Sequence, residues 1–180
     1  MGGTRFADDR RWNEPVVWSD DVQPPTSRLK LTCEDFLLFL DDGKRHELID
    51  GEHYLTPSPN PRHQAILGSL YLAIATFLEA HPIGRVYLSP LDVVLSDIDV
   101  VEPDLLFLSV ERSKEALTLY ERAGVSEYWF VDPELETVRI YRLEGDAFAR
   151  PLELSRERDE ILTTALLPGL DLSLVRIFRD

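Results

Sequence analysis

The feature that most constrains this chain is the stretch Gly84-Arg-Val-Tyr-Leu-Ser-Pro-Leu-Asp-Val-Val-Leu-Ser-Asp-Ile-Asp-Val-Val-Glu-Pro-Asp-Leu-Leu-Phe-Leu108. It reads as two apolar extended segments separated by an acidic turn, with Pro103-Asp104 opening the second. Proline has no N–H and holds the residue before it extended, so the Asp104 carboxylate is fixed at the mouth of a buried strand. A carboxylate there is either a solvated strand end or a metal ligand. Glu102 stands two residues earlier. In an extended segment the two acids share a face and make a usable cation pair.

The elements around this stretch are set by local signals. Thr32 and Asp35 form a capping-box pattern, and Cys33, Phe36, Leu37 and Leu40 fall on one face, predicting a short helix that ends at Asp41-Asp42-Gly43. His46 to Asp50 and His53 to Thr56 read as two strands around an Asp50-Gly51 turn. Asn60 followed by Pro61 gives a cap and a first-turn proline, and Ile66, Leu67, Leu70, Tyr71, Ile74, Phe77 and Leu78 keep helical spacing until His81-Pro82. A further helix is predicted from Ser113 to Gly124. Strands follow over Glu127 to Asp132, Thr137 to Arg142 and Ala147 to Leu154, with a last edge strand in the tail from Ile161 to Phe178. Residues 1 to 28 show no sustained period and read as a loose arm, leaving 29–180 as a single domain. The order of elements predicts α/β or α+β: a mixed central sheet flanked by helices, with an additional antiparallel hairpin region.

Charge and composition narrow the functions. The formal net charge is −14, which argues against tight nonspecific nucleic-acid binding through Lys and Arg. It does not exclude a nuclease, because carboxylates gathered around Mg²⁺ leave the ion to meet the phosphate. The single cysteine, Cys33, can form no internal disulfide. With no apolar run near the roughly 18 residues of a membrane span and charges where a secretory signal needs an apolar block, the chain reads as cytoplasmic with no membrane partner. No glycine-rich phosphate loop, Gly-x-Ser-x-Gly elbow or His-Glu-x-x-His pattern occurs, which disfavours nucleotide-triphosphate and nucleophile enzymes.

Two further residues carry candidate chemistry. Glu47 shares a face with Ile49; if that face is inward the carboxylate must be paired or metal-bound, and if outward it is an ordinary surface group. His63, in the first turn of the long helix, either reaches a substrate phosphate or metal or serves as a capping or surface residue.

Four ordered motifs, Arg45-His-Glu-Leu-Ile-Asp-Gly-Glu52, Pro57-Ser-Pro-x-x-Arg-His63, Leu91-Asp-Val-Val-Leu-Ser-x-x-Asp-Val-Val-Glu-Pro-Asp-Leu-Leu-Phe107 and Leu119-Tyr-Glu-Arg-Ala-Gly-Val-Ser-Glu-Tyr-Trp-Phe-Val-Asp-Pro133, closely resemble the Uma-two family of restriction-endonuclease-like proteins of the PD-(D/E)XK superfamily. The resemblance covers roughly residues 29 to 145 and implies a metal-dependent core of helix, three-stranded meander, helix and parallel strand that hydrolyses DNA phosphodiesters. By motif position it implies Asp104, Glu47 and His63 as site residues, Asp104 with Glu102 or Glu47 as ligands of Mg²⁺ or Mn²⁺, and a lysine that orients the attacking water. Lys114 is the one lysine after Lys44 and so the one candidate for that role.

One family element is absent. Between the Pro-Asp strand and the Leu-Tyr-Glu-Arg helix the family carries a further strand with the second catalytic acid, whereas here Phe107-Leu-Ser-Val-Glu-Arg-Ser-Lys114 runs almost straight into the helix. Glu111 and Lys114 are three apart, so they oppose each other on a strand and share a face only on a helix. The loss leaves a gap beside the strand from Glu127 to Asp132. Either the sheet rearranges, a partner chain fills the gap, as in a homodimer, or residues are missing from the sequence. The alternative to an enzyme is therefore a degenerate, non-catalytic domain of the same fold that acts by protein association.

Overall fold

The computed structural model describes residues 29–39, 42–115 and 124–179. The arm expected over residues 1–28 and most of the helix expected from Ser113 to Gly124 lie outside them.

The first helix, α1 (Cys33–Phe36), is a single turn closed by the reciprocal Thr32 and Asp35 capping box. It stops well short of Asp41-Asp42-Gly43. Leu37 and Leu38 are exposed, so no apolar face holds a longer helix, and the two aspartates stand where a helix end favours cations. The hairpin follows as β1 (Arg45–Ile49) and β2 (Glu52–Thr56). Asp50 and Gly51 take φ of 50° and 73°, the left-handed pair that matches the twist of a two-residue hairpin. Three hydrogen bonds to two other segments hold this turn: Leu31 N–H donates to Gly51 O, Gly51 N–H to Ile98 O and Asp50 N–H to Asp99 Oδ1 at 2.7 Å. A Cβ on Gly51 would lie 2.5 Å from Lys30 Cβ.

Helix α2 (Pro61–Ala80) starts at the Asn60 cap, whose side chain accepts the His63 N–H, and ends at His81. The stretch from Gly84 to Leu108 forms four strands, not two: β3 (Gly84–Leu88), β4 (Val93–Ser96), β5 (Asp99–Val101) and β6 (Leu105–Ser109). The first expected segment is divided at Pro90, where the ladder loses a donor, and the acidic stretch ahead of Pro103 forms a strand of its own, β5. The four strands then go to different partners. β5 lies between β1 and β4 in a sheet ordered β2-β1-β5-β4, while β3 pairs β6 alone.

After the short helix α3 (Val110–Glu115), β7 (Glu127–Asp132), β8 (Thr137–Glu144), β9 (Ala147–Phe148) and β10 (Leu152–Ser155) make a second antiparallel layer. The strand expected from Ala147 to Leu154 is split into β9 and β10 ahead of Pro151. The tail forms β11 (Ile161–Leu162), β12 (Leu172–Ser173) and α4 (Leu174–Ile177). It is not an edge strand but part of the core.

That core is one apolar cluster. Ile66, Leu70, Ile74 and Leu78 repeat every fourth residue down α2 and meet Val138 and Ile140 of β8, Leu154 of β10, and Leu162, Leu167, Leu170, Leu172, Leu174, Ile177 and Phe178 of the tail. Full burial of each such side chain contributes about 2 kcal/mol.

The architecture is α+β, with few helices and several antiparallel sheets. Every strand pairing among the described residues is antiparallel. No parallel neighbour of β7 occurs among them, and β6 leads directly into α3. β6 pairs only β3, and β7 only β8, among these residues.

Candidate functional site

Three elements bring the expected residues together. Strand β1 carries Arg45 and Glu47, two apart and hence on one face. Glu102 and Asp104 flank Pro103 in the link from β5 to β6, and His63 sits on the first turn of α2. The hairpin register places Thr56 opposite Arg45, from where its hydroxyl donates to Glu47 Oε2 at 2.8 Å. The other carboxylate oxygen of Glu47 accepts the Glu102 N–H at 3.0 Å. Glu47 thus faces inward, paired, while Ile49 on the same side at the strand end is exposed.

The centre of the cluster is a residue that sequence reasoning missed. The Arg45 guanidinium places Nη1 2.8 Å from Asp104 Oδ1, Nη2 3.8 Å from Glu47 Oε1 and Nε 3.9 Å from Glu102 Oε1. Only the contact with Asp104 is a hydrogen bond; Arg45 Nε is buried with no hydrogen-bond partner. Its signal was present in the sequence, two residues before Glu47 on the same strand face. Glu102 is nearly buried, and burial lifts its carboxyl above the usual range; Arg45 pulls it down while Asp92, Glu47 and Asp104 push it up. One guanidinium does not offset all the negative charge gathered there.

His63 Nε2 stands 3.3 Å from Asp104 Oδ2, within ion-pair range when the ring is protonated. It is buried and off the line of a hydrogen bond. Arg45, His63 and Asp104 open onto a cleft of about 390 Å³, lined further by Thr56, Asn60 and Pro133. The N-terminal end of α2 borders the same cleft, adding the positive end of a helix of 20 residues. On β7, half-exposed Tyr128 is a second missed residue. Burial raises its phenol pKa, helped by Tyr141 and by the charges of Asp104 and Glu47.

Lys114 is placed differently. It lies in α3, which starts at the other end of β6 from Asp104, where Val110 N–H donates to Ile83 O. Five residues of strand separate the two ends by about 16 Å. Glu111 lies on the same short helix.

The donor chemistry of Glu47, Glu102 and Asp104 is that of a hard cation such as Mg²⁺. Their arrangement is not: all three turn to Arg45, and among the described residues no group of His, Cys, Asp or Glu is arranged to hold a metal. As they stand, these side chains do not fit a divalent ion.

The fold is that of a nuclease-like α+β domain. Across 82% of this chain and 97% of the other, it superposes with a TM-score of 0.68 and 20% identity on a crystal structure described as "a putative nuclease belonging to DUF820" from Anabaena variabilis. At that identity the likeness is one of fold. The chain itself belongs to the Uma2 family, described as "Putative restriction endonuclease", whose model matches residues 33–117 and 108–175. The two matched stretches overlap over residues 108–117, the passage from β6 through α3. A search of curated proteins gives no match. Among the described residues no helix is long and apolar enough to cross a membrane.

Proposed function

We propose that the chain is an endonuclease that hydrolyses DNA phosphodiester bonds at the cleft between α2 and β1, in a reaction dependent on a divalent ion, Mg²⁺ or Mn²⁺. The observation that carries the reading is the position of Asp104, the Pro-Asp aspartate, in contact with Arg45 and beside His63 at the cleft. The anionic backbone of DNA would meet Arg45 and the α2 N-terminus, two sources of positive charge in a chain that is otherwise strongly acidic, with His63 beside them. Glu47, Glu102 and Asp104 are the oxygen donors that could take the divalent ion, once released from Arg45.

A second reading is a non-catalytic domain of the same family that works through protein association. Two features support it: a guanidinium stands among the carboxylates, and among the described residues no strand lies between β6 and α3, where the resemblance implies one with a second acid.

Cleavage of single- and double-stranded DNA with Mn²⁺, run beside Asp104→Ala on protein of verified mass, separates the two. The endonuclease reading expects cleavage that the substitution reduces at least a hundredfold. No cleavage by the unaltered chain leaves the association reading.

A further inference from the structure

We propose that Arg45 is a built-in cation that occupies the divalent-ion position and keeps the site closed to metal until its guanidinium is moved. This rests on the reading of the cleft as a nuclease site and adds how that site is controlled. Glu47, Glu102 and Asp104 come from two separate segments of chain, and what they share is the guanidinium. A divalent ion and a guanidinium cannot occupy the same space, so the two compete for the same oxygens.

The fit of Arg45 to its carboxylates is incomplete. Only Asp104 receives a hydrogen bond from it; Glu47 and Glu102 stand at 3.8 and 3.9 Å, beyond hydrogen-bond range. Nε is buried without a partner. A guanidinium satisfied at every nitrogen would be a structural ion pair with no reason to leave, whereas this one leaves a donor unmet in the interior. Glu47 has an independent reason to stay in place when Arg45 moves, because Thr56 and the Glu102 amide hold its two oxygens. Glu47 is thus held independently of the cation, and moving the cation leaves its oxygens in place.

The test is Mn²⁺ binding, followed by loss of the free-ion paramagnetic resonance signal, for the unaltered chain, Arg45→Met, Arg45→Lys and the double substitution Arg45→Met with Asp104→Ala. The expected result is weak binding by the unaltered chain and binding at least tenfold tighter by Arg45→Met. Adding Asp104→Ala should remove that gain. Arg45→Lys retains a charge and an apolar stem but lacks the planar fork, so it should fall between the two. It decides the matter by itself if Arg45→Met does not fold.

Equal affinity in the unaltered chain and in every folded Arg45 variant overturns the inference, as does a gain that survives Asp104→Ala. Cleavage of DNA, scored on the same samples, is a separate readout. Asp104-dependent cleavage without any gain in Mn²⁺ affinity upholds the nuclease reading and rejects the role given to Arg45. A gain in affinity without cleavage by any variant does the reverse.

Discussion

The core around α2 and the cluster around Arg45 are held in opposite ways. In the core, fourteen buried apolar residues from α2, β8, β10 and the tail share the load, and no single contact carries it. In the cluster, three carboxylates depend on one cation. Non-directional burial spreads stability over many side chains, while charge compensation concentrates it in one. A cut in the first region costs stability but changes no charge; the second changes its chemistry when a single side chain goes.

Substitutions in each region can break this contrast. The largest effect belongs to Phe178→Ala, since Phe178 is 1% exposed and its removal leaves a cavity; unfolding in urea should show a loss of about 4 kcal/mol. A loss below about 1 kcal/mol would mean that the tail is not part of the core. Arg45→Met comes next, at about 3 kcal/mol, because it strands partly buried carboxylates. Its signature is recovery: added Mn²⁺ should raise its melting temperature and leave that of the unaltered chain nearly unchanged. If Arg45→Met is as stable as the parent without metal, the carboxylates do not need a cation.

The smallest effect sharpens the contrast through pH. The Ser96 hydroxyl and the Asp50 amide donate to Asp99 and hold its pKa below the ordinary value. A carboxyl with a depressed folded pKa adds stability that is present above its unfolded value and lost as pH falls through the folded one. Asp99→Asn should therefore cost about 1 kcal/mol at neutral pH. The difference between parent and variant should vanish in acid, below the depressed pKa of Asp99. A gap that persists unchanged at low pH would assign the cost to altered geometry and not to the charge.

What was legible in the sequence was what is decided locally. Asp50-Gly51 specifies its turn through backbone conformation, and Asn60-Pro61 starts α2 through one side-chain bond, so both elements lie where residue type alone places them. The tail was misread because Leu162, Leu167, Leu170, Leu172 and Leu174 follow neither helical nor strand period, and Pro168-Gly169 interrupts them. Their burial comes from contact with α2, about a hundred residues earlier in the chain, and no local pattern encodes it. The division of the Gly84 to Leu108 stretch was hidden for a similar reason. The prolines were visible, but the choice of β1 as partner for β5 and of β3 for β6 is tertiary. Of the site, the sequence pointed to Glu47, His63, Glu102 and Asp104, which the fold gathers at one place. It did not point to Arg45, because an acidic set invites a search for more acids and for a metal, and not for a cation already in the chain.

The two-residue turn at Asp50-Gly51 also makes chain length a chemical variable. Because successive strand residues face opposite sides, one added residue between Ile49 and Glu52 would slide β2 by one step against β1 and turn Thr56 away from Glu47. Glu47 would then lose one of the two groups that hold its oxygens, with no change in any residue of the cleft. The dimensions of the acidic cluster are in this sense measured out at a turn on the far end of the hairpin, and an insertion harmless in a surface loop would there act on the site.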